Sequence, residues 1–202
     1  MRPLLLAAAL TLAIPAFAQT PAPAGQASPA TQAAAGAFVI ALSNETFAVL
    51  RDKSLSKDAA RAKFRNLLRA NFAIPDIGNR LIRRYRAQIT PAQLSAYQAA
   101  LPVFIVNTYA DRLYDFADAR VTLVRTAPRG SRGDVDVFTR ITRPNAGNPI
   151  EAVWAVRPGN PSQITNLTVN GVNVALTQEA DFSAYIQKNG FDALVDFMKK
   201  AK

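Results

Sequence analysis

Two sets of carboxylates are the first residues whose spacing could carry chemistry. Asp134 and Asp136 alternate on a predicted strand and so point the same way, as a paired acid and base would. Asp111, Asp115 and Asp118 recur at helical spacing beside Arg112. Both sets also have a plainer reading. Val135 and Val137 fill the other side of the strand, which makes the aspartates a solvated face, and the helical aspartates read as a surface ladder. The chain holds no cysteine and no histidine. Thiol nucleophiles, Ser-His triads, His or Cys metal sites and disulfides are thereby excluded. "RGSRGD" lacks the strand, loop and helix setting of a phosphate cradle. No enzyme motif, metal or cofactor is expected.

The elements that would position any site follow from composition and periodicity. "MRPLLLAAALTLAIPAFAQT" has one positive charge, an apolar run and a small-x-small end at Ala16-Phe17-Ala18. It reads as a signal peptide over residues 1–18. Residues 19–36 are Pro/Ala-rich without charge, which predicts a disordered leader. Residues 37–202 are enough for one domain with a core, and no later stretch is expected to span a membrane.

Phe38, Leu42, Val49 and Leu50 have helical spacing. Ser56 can cap a second helix carrying Phe64, Leu67, Leu68 and Phe72 on one face. Pro75 opens a third, with Ile77, Leu81, Ile82 and Tyr85. Thr90-Pro91 opens a fourth, long helix that includes Phe104, Tyr109 and Leu113, which Pro102 should kink or divide. Four strands follow at 120–127, 134–141, 150–157 and 164–169, joined by short turns, which predicts an antiparallel meander. On the second, Val135, Val137 and Ile141 share a side; on the third, Ile150, Ala152, Trp154 and Val156 do. Two more helices are expected at 178–189 and 191–200. The fold class is α+β: N-terminal helices packed on a four-stranded, mainly antiparallel sheet, with C-terminal helices.

In "NLTVNGVNVALTQEADF" the apolar parity flips at Gly171. Asn170-Gly171 signals a hairpin; alternatively the chain bends there and runs toward the terminal helix. Charge is uneven as well. Residues 51–86 hold eleven basic residues against three acidic ones, densest in "NRLIRRYR". Arg80, Arg83, Arg84 and Arg86 form either a solvated face or a docking face for a membrane surface, a head group or an acidic protein. Nucleic acid is a poor partner for a chain with a signal peptide. A sheet face bearing Trp154 beneath long helices could enclose an apolar cavity.

Three stretches carry a family resemblance: "ITPAQLSAYQAALPVFIVNTYADRL", "VWAVRP" and "ITNLTVNGVNVALTQEADFSAYIQKNGFDALVDFM". The last resembles a block of Ile-x-Asp-x-x-Val-x-Gly-Val-Ser, a Gln-x-x-Phe helix and a Gly before the final helix. Asn166 stands here for that Asp, and Asn173 for that Ser. The chain resembles, over about Phe38 to Met198, the MlaC or toluene-tolerance family, the periplasmic phospholipid-binding proteins of the Mla lipid-transport system. The resemblance implies a pocket for phospholipid acyl chains. The residues expected to line it are Phe72, Ile77, Leu81, Tyr85, Phe104, Tyr109, Leu113, Val135, Val137, Trp154, Val156, Leu167, Val169, Val174 and Phe182. It also implies a monomeric periplasmic carrier of a diacyl phospholipid, with transient membrane-surface contact. The implied partners are an outer-membrane lipoprotein complex and an inner-membrane MCE-type substrate-binding protein with its ABC transporter. Finally, it implies that the chain bends at Gly171 rather than forming a hairpin. The alternatives are a periplasmic adaptor with a filled core, and an enzyme on a cone-shaped α+β scaffold acting on an apolar substrate.

Overall fold

The computed structural model describes residues 25–114, 116–144 and 147–201, with side chains 110–113 outside the description. The expected signal peptide and the first residues of the expected leader lie outside the described residues.

The first helix, α1 (Pro29–Arg51), begins well before Phe38. Ser28 caps it, its hydroxyl accepting from the Thr31 amide at 3.2 Å, and Pro29 occupies the first turn. The residues from Pro29 to Gly36, expected as disordered leader, are therefore helix. Alanine is the best helix former, and small residues allow close approach. Ala27, Ala35 and Val39 are buried against Val135, Val137 and Val156 of the sheet. A Cβ on Gly36 would meet a Leu123 methyl at 3.1 Å. Small side chains order this segment by close packing, which a lack of large apolar residues does not preclude. The lengthened helix also meets the length and composition needed to cross a membrane, correcting the expectation that no later stretch does. Here one face of it, with Ala35 and Val39, lies on the sheet.

Next come α2 (Lys57–Asn71), α3 (Ile74–Leu81) and α4 (Pro91–Tyr114). Ser56 caps α2 through the Ala59 amide. At α4 the Thr90 hydroxyl accepts from the Gln93 amide and Gln93 Oε1 from the Thr90 amide, a reciprocal capping box. Pro102 does not divide α4. Ile82 and Tyr85, expected in the third helix, lie in the turns after it.

The sheet is antiparallel throughout, in the order β1 (Arg120–Arg129), β2 (Asp134–Thr142), β3 (Ile150–Arg157), β4 (Gln163–Val169) and β5 (Val172–Asn173). The fifth strand is an addition to the four expected. Asn170 (φ 47°) and Gly171 (φ 80°) both sit in the left-handed region, as a two-residue primed turn demands, and Val169 pairs with Val172. The hairpin is thus real, contrary to what the resemblance implied, but only two residues long. Asn173 then caps α5 (Val174–Asn189), accepting from the Leu176 amide at 3.1 Å. Asparagine and serine both serve as caps, so the Asn173 departure does not disturb the helix start. Gly190 separates α5 from α6 (Phe191–Lys200).

Three packed clusters hold these elements. The largest lies among α3 to α6, around Tyr97, Leu101, Phe104, Phe182, Phe191 and Leu194. A second joins the start of α1 to β2 and β3. A third joins the end of α1 to the start of β1 through Phe47, Leu50 and Ala119, with Phe116 and Val121 against them. The other sheet face carries ion pairs. Arg129 meets Asp136 at 2.9 Å and Arg140 meets Glu151 at 2.7 Å, so Asp136 is a solvated, paired carboxylate. Tyr97 is fully buried, which pushes its phenol above the usual range and keeps it a hydrogen-bond donor. It donates to the Gly78 carbonyl of α3 at 3.1 Å. Tyr97→Phe would leave that carbonyl without the hydroxyl. We expect a loss of about 1–2 kcal/mol in denaturant unfolding, with secondary structure unchanged.

Candidate functional site

Between the sheet and α1, α2 and α3 the side chains do not meet. They leave a cavity of about 400 Å³. Leu42, Ser43, Thr46 and Phe47 of α1 form one wall, and Phe64, Leu67 and Leu68 of α2 with Phe72 form another. Ile74, Ile77, Arg80 and Leu81 come from α3, and Ile105 and Tyr109 from α4. The floor is the inner sheet face: Val121, Ile141, Ile150, Ala152, Trp154, Leu167 and Val169. Val174, Ala175 and Gln178 of α5 complete it, with Phe116, Thr165 and Asn166.

The wall is apolar, and most of its polar groups are satisfied locally. Ser43 donates to its own helix at the Val39 carbonyl, 2.8 Å away. Trp154 Nε1 donates to the Thr139 hydroxyl on the neighbouring strand at 2.9 Å, which fixes the indole plane over the cavity floor. The Thr165 hydroxyl donates to the Ala155 carbonyl at 3.2 Å. Arg80 and Asn166 differ. Arg80 donates from Nη2 to the Thr165 carbonyl at 2.6 Å. Asn166 Oδ1 is buried with no hydrogen-bond partner. Among the described residues no group of three acidic side chains could hold a metal.

Of the residues expected to line a pocket, eight do: Phe72, Ile77, Leu81, Tyr109, Trp154, Leu167, Val169 and Val174. Six do not. Val135, Val137 and Val156 share the inner sheet face with Trp154, but the start of α1 lies directly on them. Phe104 and Phe182 are packed against each other, ring centres 5.6 Å apart, in the helical cluster. Tyr85 packs on that cluster, its hydroxyl donating to the Ser183 carbonyl at 3.1 Å. The Leu113 side chain lies outside the description.

The basic quartet also divides. Arg80 lines the cavity, and Arg83 pairs with the buried Glu179 of α5 at 2.8 Å. Arg84 and Arg86 alone are exposed without an internal ion pair among the described residues.

Residues 41–200 match the family model described as MlaC protein. The chain belongs to the MlaC protein family. A phospholipid-binding protein from Ralstonia solanacearum, solved in complex with a phospholipid, shares the fold. The two align with a TM-score of 0.69 at 20% identity, covering 83% of this chain and 96% of the other. A search of curated proteins finds no match.

In this MlaC chain the α1 wall, and the α2 wall apart from Phe72, were missing from the expected lining. Their signal was present: Leu42 and Phe47 on one helix, and Phe64, Leu67 and Leu68 on the other, lie on the faces turned toward the sheet. Trp154 is the sole tryptophan, held on one edge by Thr139 and open to the cavity on the other. Truncating a packed tryptophan typically costs about 3–5 kcal/mol. For Trp154→Ala we expect a smaller loss, about 2 kcal/mol even with the Thr139 hydrogen bond included, because the indole already borders the cavity. Thermal melts of the lipid-stripped protein measure it; a loss in the full packed range would show that the indole is core.

Proposed function

We propose that this protein is a periplasmic phospholipid carrier. The acyl chains of a diacyl phospholipid occupy the cavity and the head group faces water. The carrier shuttles lipid between an outer-membrane lipoprotein complex and an inner-membrane MCE-type substrate-binding protein with its ABC transporter. In doing so it maintains outer-membrane lipid asymmetry.

The observation that carries this reading is the unfilled apolar cavity. The apolar side chains that face this space lack contacts on that side, which an apolar ligand would supply. A fold that keeps such a space gains by filling it with an apolar ligand. Membership of the MlaC family supports the same reading, as does the fold shared with a protein solved with phospholipid.

Release is then the difficult step. Each buried methylene is worth ~0.8 kcal/mol, so even a fraction of two acyl chains makes escape into water slow. Transfer needs a docked acceptor that offers a continuous apolar path. The wall best suited to yield is α2, where only Ala60 and Leu68 of its 15 residues are buried. Gly171 and Pro102 are poorer candidates. The Asn170-Gly171 turn is tied to β3 twice, through the Glu151 amide and carbonyl, and Pro102 is buried inside a continuous helix. The exposed Arg84 and Arg86 suit contact with an anionic membrane or partner.

Native mass spectrometry of protein purified without detergent should show about one diacyl phospholipid per chain. Ala152→Phe, which places a ring on the cavity floor, should lower that occupancy severalfold. Bare polypeptide mass in the unmodified protein would overturn the reading. Lipid transfer to vesicles should be slow alone and fast with the membrane-anchored partner; equal rates would rule out the contact-gated route. Arg84→Glu with Arg86→Glu should slow the partnered reaction at low salt, at roughly 1 kcal/mol per charge, while leaving bound lipid in place.

A further inference from the structure

Among the described residues, Arg80 is the one charged side chain in the cavity wall. It is half-buried, and its placement follows from two local features. The β3–β4 register slips between Ala155 and Val156, which makes Thr165 the extra residue of a bulge. At this bulge Arg80 Nη2 donates to the Thr165 carbonyl at 2.6 Å. A carbonyl orients the guanidinium but does not neutralise it. The two nearby carboxylates are both engaged elsewhere. Asp76, one turn earlier on α3, meets Arg157 at 2.8 Å, and Glu179 meets Arg83 at 2.8 Å. Among the described residues no carboxylate lies within ion-pair distance of Arg80. Burial, and then the neighbouring Arg129, hold its pKa below the usual arginine value. The charged form thus sits in a site that disfavours it and lacks a counter-ion.

We propose that Arg80 selects the ligand's chemical class: its guanidinium receives the anionic phosphodiester of the bound lipid. The proposal rests on the carrier reading and deepens it. An arginine fork matches the paired oxygens of a phosphate, and Nε and Nη1 have no protein partner among the described residues. The apolar wall then supplies most of the affinity and Arg80 supplies the discrimination. A neutral diacylglycerol would fill the same space but leave the cation unpaired.

The test is competitive loading of the lipid-stripped protein from mixed vesicles of phosphatidylglycerol and diacylglycerol with matched chains, read by native mass spectrometry. The wild type should prefer phosphatidylglycerol by about ten- to a hundredfold, the range of one or two charge-assisted hydrogen bonds. Arg80→Gln should bring the ratio close to one, and Arg80→Lys should restore part of it, as a point charge without the fork. An unchanged ratio in Arg80→Gln would overturn the proposal, because a purely structural arginine would alter stability and not selectivity. Should Arg80→Gln fail to fold, the wild type decides: equal loading of the two lipids would overturn the assignment. Millimolar inorganic phosphate should leave phosphatidylglycerol in place; displacement would make free phosphate the ligand and overturn the lipid assignment. A wild type that takes up neither lipid would instead overturn the carrier reading itself.

Discussion

The rest of the structure depends on one constraint: helices and sheet must be held apart over the middle of the domain without the fold collapsing to fill the gap. Protein interiors pack like organic crystals, and a void of about 400 Å³ is far from that norm. Collapse is prevented by packing elsewhere. At one end, Ala27, Ala35 and Val39 bring α1 close onto β2 and β3. At the other, Phe47 and Leu50 meet Ala119, with Phe116 and Val121 behind them. The helix is a beam resting on two supports, and the cavity lies under its span. The aromatic cluster of α4, α5 and α6 is a third support, and it anchors α3 through Tyr97.

The floor needs rigidity for the same reason. The Trp154 indole nitrogen is held by Thr139, a fully buried hydroxyl that needs a partner of its own. The polar pair therefore satisfies a buried group and fixes the shape of an apolar surface. Arg80 bears on the edge of the same floor. Its bond to the bulged Thr165 carbonyl pins α3 to β4, next to the backbone tie between the Ala73 amide and the Ile164 carbonyl.

Much of this was legible in the sequence, because period and punctuation are local. Alternation in β2 and β3 identified the inner sheet face, Ser56 and Thr90-Pro91 marked helix starts, and Asn170-Gly171 signalled the hairpin that the family resemblance had set aside for a bend. What was not legible is how one face is shared between core and cavity. Val137 and Trp154 lie side by side as partners on the same face. One is sealed by α1 and the other borders the void, and the difference depends on which part of a distant helix stands above each. Phe104 and Phe182 fell to the same limit: an aromatic on an apolar stripe must be buried, but the stripe does not say against what. The Ala-rich segment failed for a different reason. Disorder was inferred from the lack of large side chains, whereas Ala35 and Gly36 are useful because they are small.

The supports also explain how the domain can both hold and yield. Holding is done by elements whose loss would unfold the domain: the start of α1 on the sheet, the aromatic cluster, and the strand ladder. The wall formed by α2 is different in kind. It contributes Phe64, Leu67 and Leu68 to the cavity, and only Ala60 and Leu68 of its residues are buried. Elements with few fully buried residues are the ones that open at free energies below that of global unfolding, which is why the proposed release route runs through α2. With an apolar ligand in place, Phe64 and Leu67 gain a partner that the protein itself does not supply, and the wall is strengthened. Without it, the same side chains face a void and hold α2 least firmly. Occupancy and wall stability therefore rise and fall together, which separates the energy that retains the ligand from the energy that maintains the fold.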